Sequence, residues 1–182
     1  MANLTFVKMD ASFSDWESVS QLNNEAFPEE ERMEDKHFKQ LYKRGVEAYA
    51  IYDKEFIGFM IGTYSREYKM FYIWFLAIEQ AHRSLGYGSK VLSQLEDMYP
   101  NSQWVVEIEV LNSASKNFEE RLRRFSFYQR LGYDHTGWGV SYFGADFEII
   151  SKPLPFRKEE YEIFWESLWK GFRKAPELKK LS

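Results

Sequence analysis

The chain has 182 residues, of which 45% are hydrophobic and none is cysteine. This length suits one well-buried domain and is short for two, so residues 1–182 are expected to form a single domain. The formal net charge of -4 gives no general electrostatic reason to bind nucleic acid or an acidic membrane surface. The lack of cysteine excludes disulfides, thiolate metal sites and a covalent intermediate on cysteine.

Membrane and metal proteins are also disfavoured. The most apolar run, residues 70–78, is far too short to span a bilayer, and no basic N-terminal segment precedes a long apolar stretch. A cytoplasmic protein without a membrane partner is therefore expected. The three histidines, His37, His82 and His135, are scattered without ligand spacing, so no metal is predicted.

The N-terminal part of the chain predicts one strand and two helices. Residues 4–9 alternate apolar and polar side chains, as a strand with one buried face does. Ser14 can cap a helix that runs to Phe27, just ahead of Pro28. A second helix is predicted over residues 29–44, because acidic residues at its start and basic residues at its end suit the helix macrodipole.

The remaining elements predict an α/β domain of the α+β type, with a mixed, mostly antiparallel sheet flanked by helices. Two strands joined by an Asp53–Lys54 turn are expected to form a hairpin. Elements up to residue 151 would form the core, followed by a C-terminal helix. The predicted strands are 46–52, 56–65, 69–78, 103–111 and two within 133–151; the predicted helices are 88–99, 115–130 and 156–172.

A glycine-containing stretch, residues 82–90 (HRSLGYGSK), lies between a predicted strand and a predicted helix. The first-turn amides of a helix have no intrahelical acceptor, and Gly86 and Gly88 let an anion approach them closely. A turn that holds no ligand is the alternative, because short glycine motifs are common. Val91 replaces the third glycine of a dinucleotide fingerprint, and no Gly-Lys-Ser/Thr of a P-loop follows, so both of those patterns are excluded.

Two motifs resemble those of one family. Residues 78–88 (IEQAHRSLGYG) resemble the Arg-x-x-Gly-x-Gly signature of the GNAT superfamily of N-acetyltransferases, and residues 127–133 (FYQRLGY) resemble its Phe-Tyr-x-x-x-Gly-Phe/Tyr segment. With the element order, the resemblance covers residues 4–151. It implies an enzyme that moves an acetyl group from acetyl-CoA to a primary amine by direct attack, with the pyrophosphate on the loop amides and the pantetheine arm on the strand end. The cofactor-binding residues so implied are Leu76, Ala77, Ile78, Arg83, Ser84, Leu85, Gly86, Tyr87, Gly88 and Ser89.

The resemblance also implies a role for Tyr128, since the tyrosine of this segment commonly donates a proton to the departing thiolate of coenzyme A. The alternative is a packing tyrosine, because an apolar stripe precedes it on the same helix. Many family members carry Asn-x-x-Ala where this chain has Arg121 and Arg124. With Arg123, these arginines form either a solvated helix face or a contact to cofactor phosphates or an acidic substrate.

Glu107 and Glu109 lie two residues apart on a predicted strand, so both project from one face while apolar residues occupy the other. Adjacent carboxylates can attract an ammonium group and remove its proton, which makes both candidates for the catalytic base. A solvent-facing strand surface is the alternative. His135 and Glu79 are held as reserve candidates for the base.

The acceptor is expected to be a small-molecule or peptide amine, and a homodimer is one open alternative for the assembly. An aromatic groove that includes Trp138, Tyr142 and Phe143 is expected to line the acceptor side. A different class of function also remains open: a non-catalytic acyl-CoA sensor or protein-interaction module on the same fold. In that case Trp165 and Trp169, four residues apart on the C-terminal helix, would form a docking face.

Overall fold

The computed structural model describes residues 4–29, 32–33, 46–142, 144–170 and 175–181. The chain divides into two compact units, one built from residues 1–64 with 73–100 and the other from residues 65–72 with 101–182. Both contain antiparallel strand pairs and helices, as the predicted α+β class requires.

The first unit is built on strands that follow one another in space as they do in the chain. Strand β1 pairs with β2, with Val7 opposite Ala50, and Ala50 in turn lies opposite Phe59 of β3. Lys54 adopts a left-handed φ of 66° between β2 and β3, so the predicted hairpin turn is confirmed. The strands are β1 (Thr5–Lys8), β2 (Glu47–Asp53), β3 (Glu55–Ser65) and β4 (Met70–Ile78). Residues 55–64 of β3 and residues 73–78 of β4 belong to this unit.

Within the described residues, this unit contains the α-helices α1 (Trp16–Ala26) and α2 (Tyr87–Met98). The prediction that Ser14 caps α1 is wrong, because Asp15 occupies the N-cap position. The Asp15 carboxylate accepts hydrogen bonds from the Ser18 hydroxyl at 2.7 Å and the Tyr52 hydroxyl at 2.8 Å. It thereby ties the start of α1 to β2.

The core of the first unit lies between α1 and the strands. Val19 and Leu22 on α1 are buried, and so are Phe59 and Ile61 on β3, because apolar residues recur with the period of each element. The same cluster also contains Met9, Phe13, Val46, Ala48, Ala50, Phe56 and Ala77.

The second unit has the strand order β5-β7-β6-β8. Strand β5 pairs with β7, placing Glu107 opposite Ile149 and Ile108 opposite Glu148. Strand β6 pairs with β7 through a register shift that begins at His135. Strand β8, which the sequence did not predict, adds two residues to the edge of β6. The bounds are β5 (Gln103–Glu109), β6 (Asp134–Tyr142), β7 (Ala145–Lys152) and β8 (Lys179–Lys180).

Helix α3 (Phe118–Arg130) begins three residues later than predicted. The Asn112 side chain accepts a hydrogen bond from the Ala114 amide at 2.9 Å, and the resulting turns delay the helix. At its end Gly132 has a φ of 89°, and the Tyr133 amide donates to the Tyr128 carbonyl at 3.2 Å. The predicted stop at Gly132 is therefore a left-handed C-terminal cap.

Helix α4 (Lys158–Trp169) packs aromatic side chains into the second unit. Trp165 is 3% exposed, stacks on Tyr161 at 5.8 Å between ring centroids and donates its indole N–H to the Pro176 carbonyl. The prediction that Trp165 belongs to an exposed docking face is therefore wrong. Trp165 lies on the face of α4 that packs into the core instead.

Some predictions concern residues outside the described part of the chain. These are most of the helix predicted over 29–44, the end of the helix predicted to reach residue 172, Phe143 and the side chain of Tyr142. Among the helices that the structure describes, none combines the length and the apolar character needed to cross a bilayer.

Candidate active site

The predicted phosphate-binding loop lies in the first unit, between β4 and α2. After β4 the Glu79 amide donates to the Ile57 carbonyl at 2.9 Å, and a short 3-10 helix covers Gln80–His82. Gly86 is the N-cap of α2 with a φ of 83°. The helix therefore starts at Tyr87, one residue earlier than predicted, and Gly88 lies in its first turn. The strand-to-helix junction inferred from the sequence is confirmed.

The N-terminus of α2 is open to an anion. The first backbone bond of the helix runs from the Lys90 amide to the Gly86 carbonyl at 3.1 Å, so earlier amides have no intrahelical acceptor. The N-cap residue itself, Gly86, has no side chain with which to cap this end. An ideal Cβ built on Gly86 would meet no heavy atom within 4 Å, which leaves space beside the amides. The macrodipole favours negative charge there.

Arg83 helps to hold this loop in shape. Its Nε donates a hydrogen bond to the Ile78 carbonyl at 2.9 Å, which folds the loop back onto the end of β4. Ser84 adopts a left-handed φ of 63°, and Leu85 is 62% exposed at the tip. The resemblance had implied a cofactor contact for Arg83, and the bracing contact to the strand end is a feature that the motif alone did not reveal.

A polar cluster ties the loop to the β2–β3 hairpin. His82 lies within 3.2 Å of Glu55 through Nε2 and within 3.3 Å of Glu79 through Nδ1. Tyr87 donates its hydroxyl hydrogen to Asp53 at 2.7 Å, and that hydrogen bond raises the pKa of the tyrosine above its ordinary value. These contacts give the helix start a fixed position.

The strand end that was expected to meet the pantetheine arm is closely packed against β3. Ala77 is buried, and a Cβ on Gly58 would lie only 2.2 Å from the Ala77 carbonyl oxygen. Leu76 and Ile78 are partly exposed. Only glycine at position 58 lets the two strands approach this closely.

Tyr128 lies near the end of α3 in the second unit and is 6% exposed. Its ring contacts Phe127 and Tyr133 in edge-to-face geometry, with centroids 5.0 and 5.3 Å away. Burial raises the pKa of Tyr128 to about 12, although the charge of Arg124 acts in the opposite direction. The phenol therefore keeps its proton across the neutral range, as a general acid must.

Glu109 is held by arginines of α3. Its Oε1 lies 2.9 Å from Arg121 Nη2, and its Oε2 lies 3.0 Å from Arg124 Nη1. Arg121 also donates to the Val110 carbonyl at 2.9 Å and the Asn117 side chain at 2.8 Å. Arg121 and Arg124 therefore connect α3 to the end of β5. Neither alternative inferred from the sequence, a solvated helix face or a contact to phosphates or an acidic substrate, included this role.

Glu107 has a different partner. The hydroxyl of Tyr161 on α4 donates to Glu107 Oε1 at 3.1 Å. Val106 and Ile108 are buried on either side of it in the chain, so the alternation predicted for β5 is confirmed. The two carboxylates thus follow each other along one strand but bind groups on different helices.

The second unit contains a polar pair, His135 and Glu148, of which only His135 was singled out from the sequence. His135 Nδ1 lies 2.6 Å from Oε1 of Glu148, a residue that is 9% exposed, and the imidazole packs on Phe125 with centroids 4.3 Å apart. His135 was a reserve candidate from the sequence, whereas Glu148 was missed. The available signal was a lone carboxylate beside Ile149 and Ile150 in a buried run. The described residues contain no group of three or more acidic or histidine side chains that could hold a metal ion.

These features agree with the known proteins that the chain resembles. The model of the Acetyltransferase (GNAT) family matches residues 16–133, which is more than half of the sequence. The chain therefore belongs to the GNAT acetyltransferase family, as its two motifs predicted. No curated protein sequence matches it significantly.

Solved structures show the same fold. A GNAT-family protein from Bacteroides thetaiotaomicron is 22% identical, with a TM-score of 0.71, and the match covers 93% of this chain and 97% of that one. An aminoglycoside 6'-N-acetyltransferase complexed with coenzyme A is 17% identical, with a TM-score of 0.64 and coverage of 84% and 99%. The ribosomal-protein-S18-alanine N-acetyltransferase from Escherichia coli is 15% identical, with a TM-score of 0.61 and coverage of 84% and 99%.

Proposed function

We propose that this protein binds acetyl-CoA and transfers the acetyl group to a primary amine by direct attack. The strongest support is the N-terminus of α2, where first-turn amides without intrahelical acceptors lie beside left-handed Gly86 with open space around it. This cradle fits a pyrophosphate. The fold supports the same conclusion, since one structural neighbour is an acetyltransferase complexed with coenzyme A.

The bound coenzyme supplies an activated acetyl thioester. In the proposed reaction the amine nitrogen forms a bond to the acetyl carbon, and the carbon–sulfur bond breaks. Tyr128 gives its phenolic proton to the sulfur as the thiolate leaves. The neutral amine nitrogen becomes positively charged when it bonds to the acetyl carbon, and it then gives a proton to a base. General acid catalysis of this kind contributes roughly 10²- to 10⁴-fold.

Glu107 is the better of the two proposed bases. Each oxygen of Glu109 is engaged by a guanidinium, so accepting a proton there would require an ion pair to break. Glu107 Oε1 instead accepts a hydrogen bond from the neutral phenol of Tyr161. We therefore assign the base to Glu107 and a fastening role to Glu109, with a small-molecule or peptide amine as the acceptor.

The proposal is tested by measuring thiol release from acetyl-CoA over a panel of polyamines, aminoglycosides, amino acids and peptides. Tyr128→Phe is expected to lower kcat about 100-fold or more while acetyl-CoA binding persists, because only the acid is lost. Tyr133→Phe is the matched control, since Tyr133 is a buried ring beside Tyr128, and it should keep its turnover.

Unchanged turnover in Tyr128→Phe would remove this residue from the mechanism. Binding of acetyl-CoA by the unaltered protein without turnover on any amine of the panel would favour the alternative, a non-catalytic acyl-CoA sensor.

A further inference from the structure

The buried environment of Tyr128 makes its phenol a weaker acid, which opposes its proposed role as a proton donor. Burial raises the pKa of its phenol to about 12, whereas a cysteine thiol ionises near 8.5. Proton transfer from such a phenol to a thiolate runs uphill. A positive charge close to the phenolic oxygen would reduce this difference, because it stabilises the phenolate that remains.

Arg124 lies four residues before Tyr128 on the same helix. Residues four apart lie on one face, and helical side chains lean toward the N-terminus, so the ring of Tyr128 covers the turn that carries Arg124. Tyr128 is buried, while the Arg124 side chain is 41% exposed. The guanidinium is thus placed at the border between the buried ring and solvent.

Two carboxylates hold that guanidinium. Nη1 of Arg124 lies 3.0 Å from Glu109 Oε2, and Nη2 lies 3.9 Å from Glu120 Oε1. The other oxygen of Glu109 binds Arg121, so the carboxylate itself is fixed from two sides. A long flexible side chain is in this way confined to one place beside the helix turn of Tyr128.

We propose that Arg124, held by Glu109, is a positioning residue that promotes proton donation by Tyr128 to the leaving thiolate. The inference rests on the proposed function and gives Glu109 a role other than that of a base. In the step, the O–H bond of Tyr128 breaks and an S–H bond forms from a sulfur lone pair. The electron pair of the O–H bond stays on the phenolate oxygen, which Arg124 stabilises until water returns a proton.

Other charged or titratable groups surround this face of α3. Among the charges near Tyr128, that of Arg124 lowers the pKa of the phenol. The others are Glu109 from β5, Glu120 and Arg121 from α3, His135 from β6, Glu148 and Lys152 from β7, and Tyr133 after the helix.

The test replaces residue 128 with a fluorotyrosine, whose ring fluorines lower the phenol pKa into a range where the protein stays folded. Fluorine NMR then follows the titration midpoint of this one group in the free protein. Arg124→Gln should raise the midpoint by about half a unit, a modest shift because the arginine is partly exposed and screened. Arg124→Lys should keep the midpoint near that of the parent protein, since the positive charge remains.

Arg123→Gln is the matched control, because Arg123 is an exposed arginine of the same helix that points away from the Tyr128 face, and it should not move the midpoint. In turnover assays with unmodified tyrosine, Arg124→Gln should lose about two- to threefold in kcat, with KM for acetyl-CoA little changed, and Arg124→Lys should recover the loss.

An unmoved midpoint in a folded Arg124→Gln protein would overturn this inference and leave the proposed function standing. An equal shift in Arg123→Gln would also overturn it, because the effect would then be a general loss of charge. Normal turnover of Tyr128→Phe would instead refute the acid assigned under the proposed function, and the inference with it.

Discussion

At Gly86 the backbone adopts a φ of 83°, which L side chains rarely occupy. Because no heavy atom lies within 4 Å of a Cβ built there, a substitution would meet a conformational cost and no clash. Gly86→Ala is therefore expected to lower the free energy of unfolding by about 1 kcal/mol and to weaken acetyl-CoA binding. Gly86→Asn should lose less of both, since asparagine tolerates this conformation. Urea unfolding and calorimetry measure the two effects, and equal losses in both variants would contradict the explanation.

Individual residues differ in how far the sequence could predict them. The glycine beside the start of α2 and Tyr128 near the end of α3 belong to short motifs, and the sequence placed both at these helix ends. The left-handed conformation of Gly86 and the burial of Tyr128 come from the structure. The partners of Arg83 and Glu109 could not be predicted. Long charged side chains reach several neighbours, and only the three-dimensional packing decides that Arg83 meets a carbonyl and Glu109 two arginines.

The approach of strands β3 and β4 depends on Gly58. A Cβ at this position would lie 2.2 Å from the Ala77 carbonyl oxygen, which is backbone and cannot turn aside. We expect Gly58→Ala to lower the free energy of unfolding by about 2 kcal/mol or more, because the strands must separate. Gly144→Ala is the control, since its Cβ meets nothing within 4 Å and only its φ of 77° is costly.

Urea unfolding of the two variants provides the comparison. A Gly58→Ala protein as stable as the parent, or no less stable than Gly144→Ala, would mean that the strands yield easily. The strand end at residues 76–78 would then be less rigid than the packing around Ala77 indicates.

Secondary-structure elements were predictable where hydrophobic periodicity is strong. Strands β2, β3 and β4 begin and end within one residue of the predicted bounds, because alternating or continuous apolar runs define them. Helix α3 starts late, because the turn made by Asn112 has no hydrophobic signature. Strand β8 was missed, since it consists of two exposed lysines. The buried position of Trp165 shows that a tryptophan pair at helical spacing does not by itself mark a docking surface.

The raised pKa values of several tyrosines predict how the stability of the protein changes at alkaline pH. Burial is the first cause that raises the pKa of Tyr49, Tyr52, Tyr99 and Tyr128. In the unfolded chain these phenols ionise near pH 10. The stability contributed by keeping them neutral is therefore complete below about pH 10 and is lost as the pH rises toward the folded pKa values.

Urea unfolding at pH 8 and pH 11 tests this expectation. The free energy of unfolding should be lower at pH 11, and the difference between the two pH values should be smaller in Tyr128→Phe, which lacks one of the buried phenols. Equal stability at both pH values would show that these tyrosines ionise alike in the folded and unfolded states.

For the chain as a whole, two short motifs and the element order were enough to predict the family, which the match over residues 16–133 confirms. The acceptor could not be predicted. Aromatic residues such as Trp138 serve packing as readily as recognition, and here Trp138 lies under the Lys158 ammonium at 4.6 Å. Backbone amides at a helix start belong to the fold, whereas acceptor specificity depends on side chains that vary between proteins of one fold.

The proposed function requires that the glycine-containing start of α2 holds the pyrophosphate of acetyl-CoA. Calorimetric titration of the purified protein with acetyl-CoA tests it most directly, with acetylated pantetheine that lacks phosphate as the control ligand. We expect saturable binding of acetyl-CoA, much weaker binding of the control, and a lower affinity in Gly86→Ala. Failure of acetyl-CoA to bind, or equal binding of both ligands, would show that this helix start does not hold the pyrophosphate.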